Sequence, residues 1–442
     1  MKRNFTLNNL TLASVAIFCL FAAACQNSQT GNSVNSRQDI PIPQTSASPA
    51  ATATPPDLSG VPMTLPMIDA ILADDTASAE LKSHTQITDE QIQKIRDAAR
   101  DAVLRLTESG GQDSERSTSA ATKKAIAKVK EIVGSEKADT VVAYLREKWT
   151  GTGADTMVSA PNSVPTDTRI VVNAPAYRMD IFRDGKITKS YKIGIGYPEF
   201  PLPAGLRKAN EIIFNPTWTP PDEPWVKGKF APGKKVEAGS KDNPLGPIKI
   251  PIGLPSLIHG GKAPAKLGTF ASHGCVGLTN GQVQDFTVEL SSLAGQPLSM
   301  GDIKAYEKDT SETKKVKFDA PVPVELRYET IVVTSDGKLT IYRDVYERGT
   351  NTEDNLRRVL DAAGVSFDSL PAADQAKIRV GLEQMAIDAS GDPVERGPET
   401  DKNKKSTSAK VTRTIKGKRQ LVFDLAQLKG KGYPAPVNLK TA

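Results

Sequence analysis

Two of the three histidines and one of the three cysteines fall between positions 259 and 275. The run reads His259-Gly260-Gly261, a ten-residue spacer, then Ser272-His273-Gly274-Cys275-Val276-Gly277-Leu278-Thr279-Asn280. A thiol at its ordinary pKa is only a few per cent thiolate at neutral pH, and a nearby imidazole can take its proton and turn it into a nucleophile. Glycines beside both groups permit tight turns and let the backbone approach a substrate carbonyl. The backbone N–H groups of His273, Gly274 and Cys275 are candidates for an oxyanion hole. Two other readings of the same residues stand beside this one. Cys275 could be an inert buried thiol between hydrogen-bonded histidines. Alternatively, His259, His273 and Cys275 could be zinc ligands, although the spacing follows no common zinc template and a fourth ligand is not evident.

The other cysteines sharpen the choice. Lys2 and Arg3 precede a mostly apolar stretch from Leu10 to Leu20, followed by Phe21-Ala22-Ala23-Ala24-Cys25. This is short for a membrane span and has the features of an export signal. Ala22-Ala23-Ala24-Cys25 resembles a bacterial lipobox, which implies cleavage after residue 24, lipidation of Cys25 and anchoring at a membrane. Gln26 follows, where inner-membrane retention in some diderm bacteria is associated with Asp, so an outer membrane is favoured in such a host. Cys19 leaves with the signal, and Cys275 is then the one free thiol of an exported chain, where unpaired thiols oxidise. The full sequence of 442 residues carries a net charge of +6. That balance is too weak to imply nucleic-acid binding, three cysteines exclude a disulfide scaffold, and one apolar run excludes a multi-span membrane protein.

The elements that must hold the site follow from composition and periodicity. Residues 1–24 are expected to be the signal, and 25–60, rich in Ser, Thr, Pro and Ala, a disordered tether. Residues 61–150 are expected to form a helical module, read as packing or spacing. Thr88 and Gln91 fit a capping box; Ile92, Ile95, Ala99 and Ala102 follow at helical spacing. Ile126, Val129, Ile132 and Val133 mark a second helix closed by Gly134, and Ala138, Val141, Val142, Leu145 and Trp149 a third. His84 is expected on the surface. Residues 165–350 are β-rich with long, proline-stiffened loops. Arg169–Val172 and Arg178–Phe182 read as strands, as do Tyr191–Ile195, Val324–Tyr328, Ile331–Val333 and Leu339–Tyr342. Asp184-Gly185 and Asp336-Gly337 read as hairpin turns. Residues 351–390 are helical. Residues 391–442 are read as a disordered, basic region; 401–442 holds eleven Lys or Arg against two Asp, which is either a solvated surface or a weak attraction to an anionic polymer.

The histidine–cysteine run resembles the signature of the L,D-transpeptidase catalytic domain, the YkuD or ErfK/YbiS family: His-Gly, a spacer, Ser/Thr-His-Gly-Cys, then Asn. His259-Gly260, Ser272-His273-Gly274-Cys275 and Asn280 match it. Asn215-Pro216-Thr217-Trp218 and Asn243-Pro244-Leu245-Gly246 are similar to further family segments, and Val324 to Tyr346 to the extension of the ErfK/YbiS branch. The resemblance spans roughly 165–350. It differs at Gly277, where the family usually has Arg, and Lys262 or Lys266 are the candidates to replace that charge.

The resemblance implies a mainly β catalytic domain, a β-sandwich with long loops. It is flanked here by the α-helical N-terminal module and a mixed, partly disordered C-terminal region. It implies that Cys275 attacks a peptidoglycan tetrapeptide stem and releases D-Ala as a thioester forms. His259 would act as base and acid, oriented by the Gly260 carbonyl, with His273 and Gly274 shaping the site. Ser272, Asn280 and Trp218 are candidate substrate contacts. An amine then resolves the thioester, joining a second stem or a wall-attached protein; water would make the enzyme a carboxypeptidase or peptidase. No cofactor or metal is required. A third reading is an inactive wall-binding lipoprotein with Gly277 as its mark of decay, against which the intact cysteine and histidine argue.

Overall fold

The structure, a computed structural model, describes residues 58–108, 118–150, 160–220, 234–253, 256–391, 393–394 and 414–439. The expected signal, Cys25 and nearly all of the tether lie outside these residues.

The first part is helical: α1 (Leu65–Leu72), α2 (Asp75–Thr85), α3 (Asp89–Glu108), α4 (Thr118–Val133) and α5 (Ser135–Thr150). The three amphipathic helices read from periodicity correspond to α3, α4 and α5. Their apolar stripes, including Ile95, Val129 and Leu145, meet in one buried cluster. The capping box at Thr88 closes in both directions, with Thr88 N–H donating to Gln91 Oε1 (3.0 Å) and Gln91 N–H to Thr88 Oγ1 (3.2 Å). Helices α1 and α2 are additions. Seven of the eight residues of α1 are buried, so it shows no polar face and no helical period to read. Asp74 caps α2 by accepting from Ala77 N–H at 2.7 Å. His84 lies exposed on that helix.

The central part is built on β1 (Arg169–Asn173), β2 (Arg178–Arg183), β3 (Lys186–Lys192), β4 (Ile195–Gly196), β5 (Gly205–Phe214), β6 (Ile248–Pro251), β7 (Leu257–His259), β8 (Phe270–Ser272) and β9 (Val276–Gly277). These are followed by α6 (Asn280–Leu293), α7 (Met300–Lys308) and β10 (Lys314–Arg327). Eight strands form one mixed sheet in the order β3-β2-β1-β10-β5-β6-β7-β9, and β4 pairs with β8 as a short ribbon. Asp184 and Gly185, at φ 49° and 75°, make the two-residue turn between β2 and β3, the left-handed pair that such a hairpin requires. The apolar side of the sheet packs Ile170, Val172, Ile212, Ile250, Ile258 and Val276 against Val283, Phe286 and Leu290 of α6. The end of α5 docks directly on the start of β5. Gly205 has φ +113°, and a Cβ there would stand 1.8 Å from the Thr150 carbonyl oxygen.

The last part corrects two expectations. Strands β11 (Ile331–Thr334) and β12 (Asp336–Tyr342) do not extend the central sheet. They pair with β13 (Gln420–Lys429) in a separate three-stranded sheet, covered by α8 (Glu353–Ala362) and α9 (Ala372–Met385). The expected domain end at 350 therefore cuts through a second α/β core holding Ile331, Leu339, Leu356, Ile378 and Leu425. The chain between the two cores still belongs to the first, because Val345 and Tyr346 are buried in the central cluster. The region 391–442, expected to be disordered, contains a regular strand. In Leu421-Val422-Phe423-Asp424-Leu425 the first, third and fifth residues share one face, and that face packs into the α8–α9 core. Beyond it Tyr433 is buried and its hydroxyl donates to Asp180 Oδ2 at 3.0 Å.

Candidate active site

Register brings the thiol and the imidazole together. Strands β7 and β9 run parallel, with Ile258 opposite Val276 and His259 opposite Gly277. Ile258 and Val276 point into the core. Side chains alternate along a strand, so Leu257, His259, Cys275 and Gly277 share the other face. His259 and Cys275 are then diagonal neighbours, a separation of roughly 7–8 Å between backbones that side chains can span.

Each partner is fixed by its own loop. The His259 imidazole is buried, and its Nδ1 lies 2.8 Å from the Gly260 carbonyl oxygen. A carbonyl only accepts, so Nδ1 carries the hydrogen and Nε2 is left as the acceptor. The Gly260 segment is clamped by Gly260 N–H donating to Ile248 O (3.2 Å) and Gly261 N–H donating to Asn280 Oδ1 (2.7 Å). Asn280 is thus a strut for the histidine loop. The Asn243–Gly246 segment presses on the same loop from outside: a Cβ at Gly246 would meet Gly261 N at 2.4 Å and Asn280 Oδ1 at 2.7 Å. Asn243 in turn donates to Pro216 O at 2.8 Å, which ties this segment to the Asn215–Trp218 stretch.

Cys275 is partly exposed at the end of a tight turn. The Ser272 hydroxyl clips that turn, accepting from Cys275 N–H (3.0 Å) and donating to Cys275 O (2.6 Å). Ser272 is itself buried, so both ends of its hydroxyl serve the turn. Gly274 has φ +86°, a conformation that disfavours side chains, and its carbonyl accepts from Ser256 Oγ at 2.8 Å. The Cys275 N–H is already committed to Ser272, whereas the Gly274 N–H has no acceptor among the described residues. His273 turns away into an aromatic slot. Its ring meets Phe200 edge-on at 4.6 Å and Tyr197 at 5.2 Å between centroids. With that ring diverted, His259, His273 and Cys275 do not converge. Among the described residues no group of three or more His, Cys, Asp and Glu is arranged to hold a metal.

Electrostatics leave the resting pair uncharged. Burial, reinforced by the Lys262 charge, pushes the His259 imidazole down to about 3, against smaller opposing contributions from the Gly260 and Leu245 carbonyls. Burial also pushes the Cys275 thiol up, offset in part by the Leu257 N–H and by Lys262. A neutral imidazole and a neutral thiol on one face of the paired strands suit proton transfer as the sulfur attacks, not an ion pair stored beforehand.

Residues 167–291 match the family model of the YkuD L,D-transpeptidase catalytic domain. This segment is a YkuD L,D-transpeptidase domain. The chain is also similar to a putative L,D-transpeptidase, YqjB, of Bacillus subtilis strain 168, at 24% identity over 170 residues, covering 37% of this chain and 89% of that protein. Among solved structures it is similar to the catalytic domain of an L,D-transpeptidase from E. faecium, with 19% identity, a TM-score of 0.24 and coverage of 37% and 100% of the two chains. A Mycobacterium tuberculosis L,D-transpeptidase is similar at 15% identity and a TM-score of 0.21, covering 36% of this chain and 56%, about half, of that one.

The L,D-transpeptidase domain uses several residues that the motif did not single out. Ser256, just before β7, and Leu257, its first residue, hold the cysteine turn, and Tyr197 and Phe200 hold His273; none lies in a run with a recognisable chemical pattern. Trp218, a candidate substrate contact, sits at the bridge to Val236, flanking residues 221–233, which lie outside the described ones. Ser272→Ala should cost about 1–3 kcal/mol, the sum of two hydrogen bonds, and should slow alkylation of Cys275 because the turn loses its clip. Chemical denaturation and iodoacetamide kinetics would check both. Unchanged alkylation would mean that the glycine turn holds itself.

Proposed function

We propose that the protein is a lipid-anchored L,D-transpeptidase facing the periplasm or cell wall, acting on peptidoglycan tetrapeptide stems. The observation that carries the reading is the His259–Cys275 pair on one face of β7 and β9, with the imidazole tautomer set by Gly260. The membership of the catalytic segment and the names of its relatives supply the substrate class.

The Cys275 sulfur attacks the carbonyl carbon at the stem's scissile bond while its proton passes to His259 Nε2. The carbonyl oxygen becomes an oxyanion beside the Gly274 N–H. Collapse breaks the carbon–nitrogen bond, and the leaving D-Ala amine takes the proton from His259, leaving a thioester on Cys275. An acceptor amine then gives its proton to His259 as its nitrogen attacks the thioester. The carbon–sulfur bond breaks and the sulfur recovers the proton. The acceptor is the amine of a second stem or of a wall-attached protein. Anchoring through Cys25 rests on the sequence of residues 2–26, and Gln26 in place of Asp favours the outer membrane in a diderm host.

The test is mass spectrometry of the purified chain, lacking residues 1–24, with a disaccharide-tetrapeptide, beside Cys275→Ala. Loss of D-Ala with a linked dimer, absent from the variant, is expected. Tripeptide without dimer would replace transpeptidation with hydrolysis. Absence of both products and of a thioester on Cys275 would overturn the enzymatic reading.

A further inference from the structure

The position two residues after the nucleophile carries no side chain, and the space above it is filled from elsewhere. A Cβ at Gly277 would stand 2.9 Å from Lys262 Cγ, 3.1 Å from its Cε and 3.4 Å from its Cδ. The aliphatic stem of Lys262 therefore lies along the backbone of β9. Its own backbone is anchored where this can be held: Lys262 N–H donates to Leu278 O at 3.1 Å, and Leu278 N–H donates to His259 O at 2.9 Å. Lys262 and His259 thus both adjoin Gly277, two residues from Cys275.

We propose that the Lys262 ammonium, carried on a stem laid against Gly277, is the fixed counter-charge of the Cys275 thiolate, beside the His259 that takes its proton. Geometry puts the stem directly beside the cysteine strand. The charges beside Gly277 are cationic. Burial pulls the Lys262 ammonium below the usual lysine range, Cys275 opposes this by attraction and Lys266 adds repulsion, while Lys249, opposite His259 on β6, adds a further positive charge against the imidazole. A positive charge at Lys262 favours a thiolate and disfavours a second cation on His259. The same lysine therefore stabilises the negative sulfur formed as its proton leaves, and holds the resting imidazole neutral. The inference rests on Cys275 being the nucleophile of the proposed reaction, and is independent of which amine resolves the thioester.

The experiment needs no peptidoglycan. Rates of Cys275 alkylation by neutral iodoacetamide and by anionic iodoacetate would be measured from pH 6 to pH 11 on the full chain lacking its signal. Wild type, Lys262→Met, Lys262→Arg, Gly277→Ala and His259→Gln would be compared, with circular dichroism as the check on folding. In Lys262→Met the midpoint of the iodoacetamide profile should rise by roughly one pH unit, about tenfold less thiolate at fixed pH below it. The iodoacetate-to-iodoacetamide rate ratio should fall several-fold. Lys262→Arg should restore both. Gly277→Ala, which pushes the stem aside, should move them in the same direction as Lys262→Met, and it carries the test if the methionine variant fails to fold. His259→Gln should leave the midpoint where it is or lower it. A profile and reagent ratio unmoved in both Lys262→Met and Gly277→Ala would overturn the proposal. So would a midpoint that rises in His259→Gln as much as in Lys262→Met. Because the readout is alkylation, a failed transpeptidation assay leaves this result standing, and the reverse also holds.

Discussion

His259→Gln should lower turnover of a tetrapeptide substrate by roughly 10²–10⁴-fold, the usual contribution of a positioned general base, and should also flatten the acid side of the stability curve. The second effect follows from the burial of the imidazole. In the folded chain His259 stays neutral down to about pH 3, whereas in the unfolded chain it takes up a proton near its ordinary value of about 6.5. Between those values the unfolded state binds the extra proton, so stability falls as pH falls through that window, by up to about 1.4 kcal/mol per unit. Above about pH 6.5 both states are neutral at this residue and it adds no pH dependence. Glutamine cannot titrate. Denaturation midpoints measured between pH 4 and pH 7 should therefore drop less steeply in the variant than in the wild type. Parallel curves would show that the imidazole is protonated normally in the fold, and the neutral-pair mechanism would go with it. Retained turnover would remove His259 from the proton path.

The chemistry of this site was legible because its parts are local. Cys275 and its glycines lie in one turn, and His259 lies on the strand that pairs with it, so a short run of sequence holds both partners. The parity that puts them on one face is a property of register, which the apolar residues Ile258 and Val276 set by facing the core. Lys262 was harder to assign. Its role depends on an empty position on another strand, and spacing alone could not choose between it and Lys266. Ser272 and Asn280 match the motif, yet their polar atoms hold loops: Ser272 closes the cysteine turn and Asn280 props the histidine loop. A motif reports which residues recur together, and a strut recurs as faithfully as a contact to substrate. At the C-terminus, charge hid structure. β13 shows the alternation of Leu421, Phe423 and Leu425, but it follows a strongly basic stretch, and the helix face that it covers, where a Cβ at Gly381 would stand 2.6 Å from Phe423 Cζ, is some 40 residues away in sequence.

Trp149→Ala is expected to damage the catalytic turn as well as the helical module in which the residue sits. Trp149 lies in the last turn of α5, is fully buried, and its Cη2 lies 3.6 Å from where a Cβ of Gly274 would stand. The loop beneath the motif is held from two sides. On the helical side, Thr64 Oγ1 donates to Glu199 O, and Thr118 Oγ1 donates to Pro198 O at 3.1 Å. On the other side, the Tyr346 hydroxyl donates to Gly196 O at 2.8 Å and accepts from Leu202 N–H at 3.1 Å. Between them Tyr197 and Phe200 grip the His273 ring. Removing the indole leaves a cavity against this loop, at a cost of about 3–5 kcal/mol. Stability alone would not reveal the coupling, since Leu81→Ala, also fully buried but within α2, should cost about 2–5 kcal/mol. The two variants part in their chemistry. Well below both melting points, Trp149→Ala should lose at least about tenfold in Cys275 alkylation and turnover, because the turn can relax into the space. Leu81→Ala should stay near the wild type, and Trp149→Phe should fall between. Equal activity in the alanine pair would reduce the helices to the spacer that their sequence first implied. The expected split would make α5 a wall of the active site, so that a catalytic segment cut away from residues 61–150 would carry the right residues on a turn with nothing behind it.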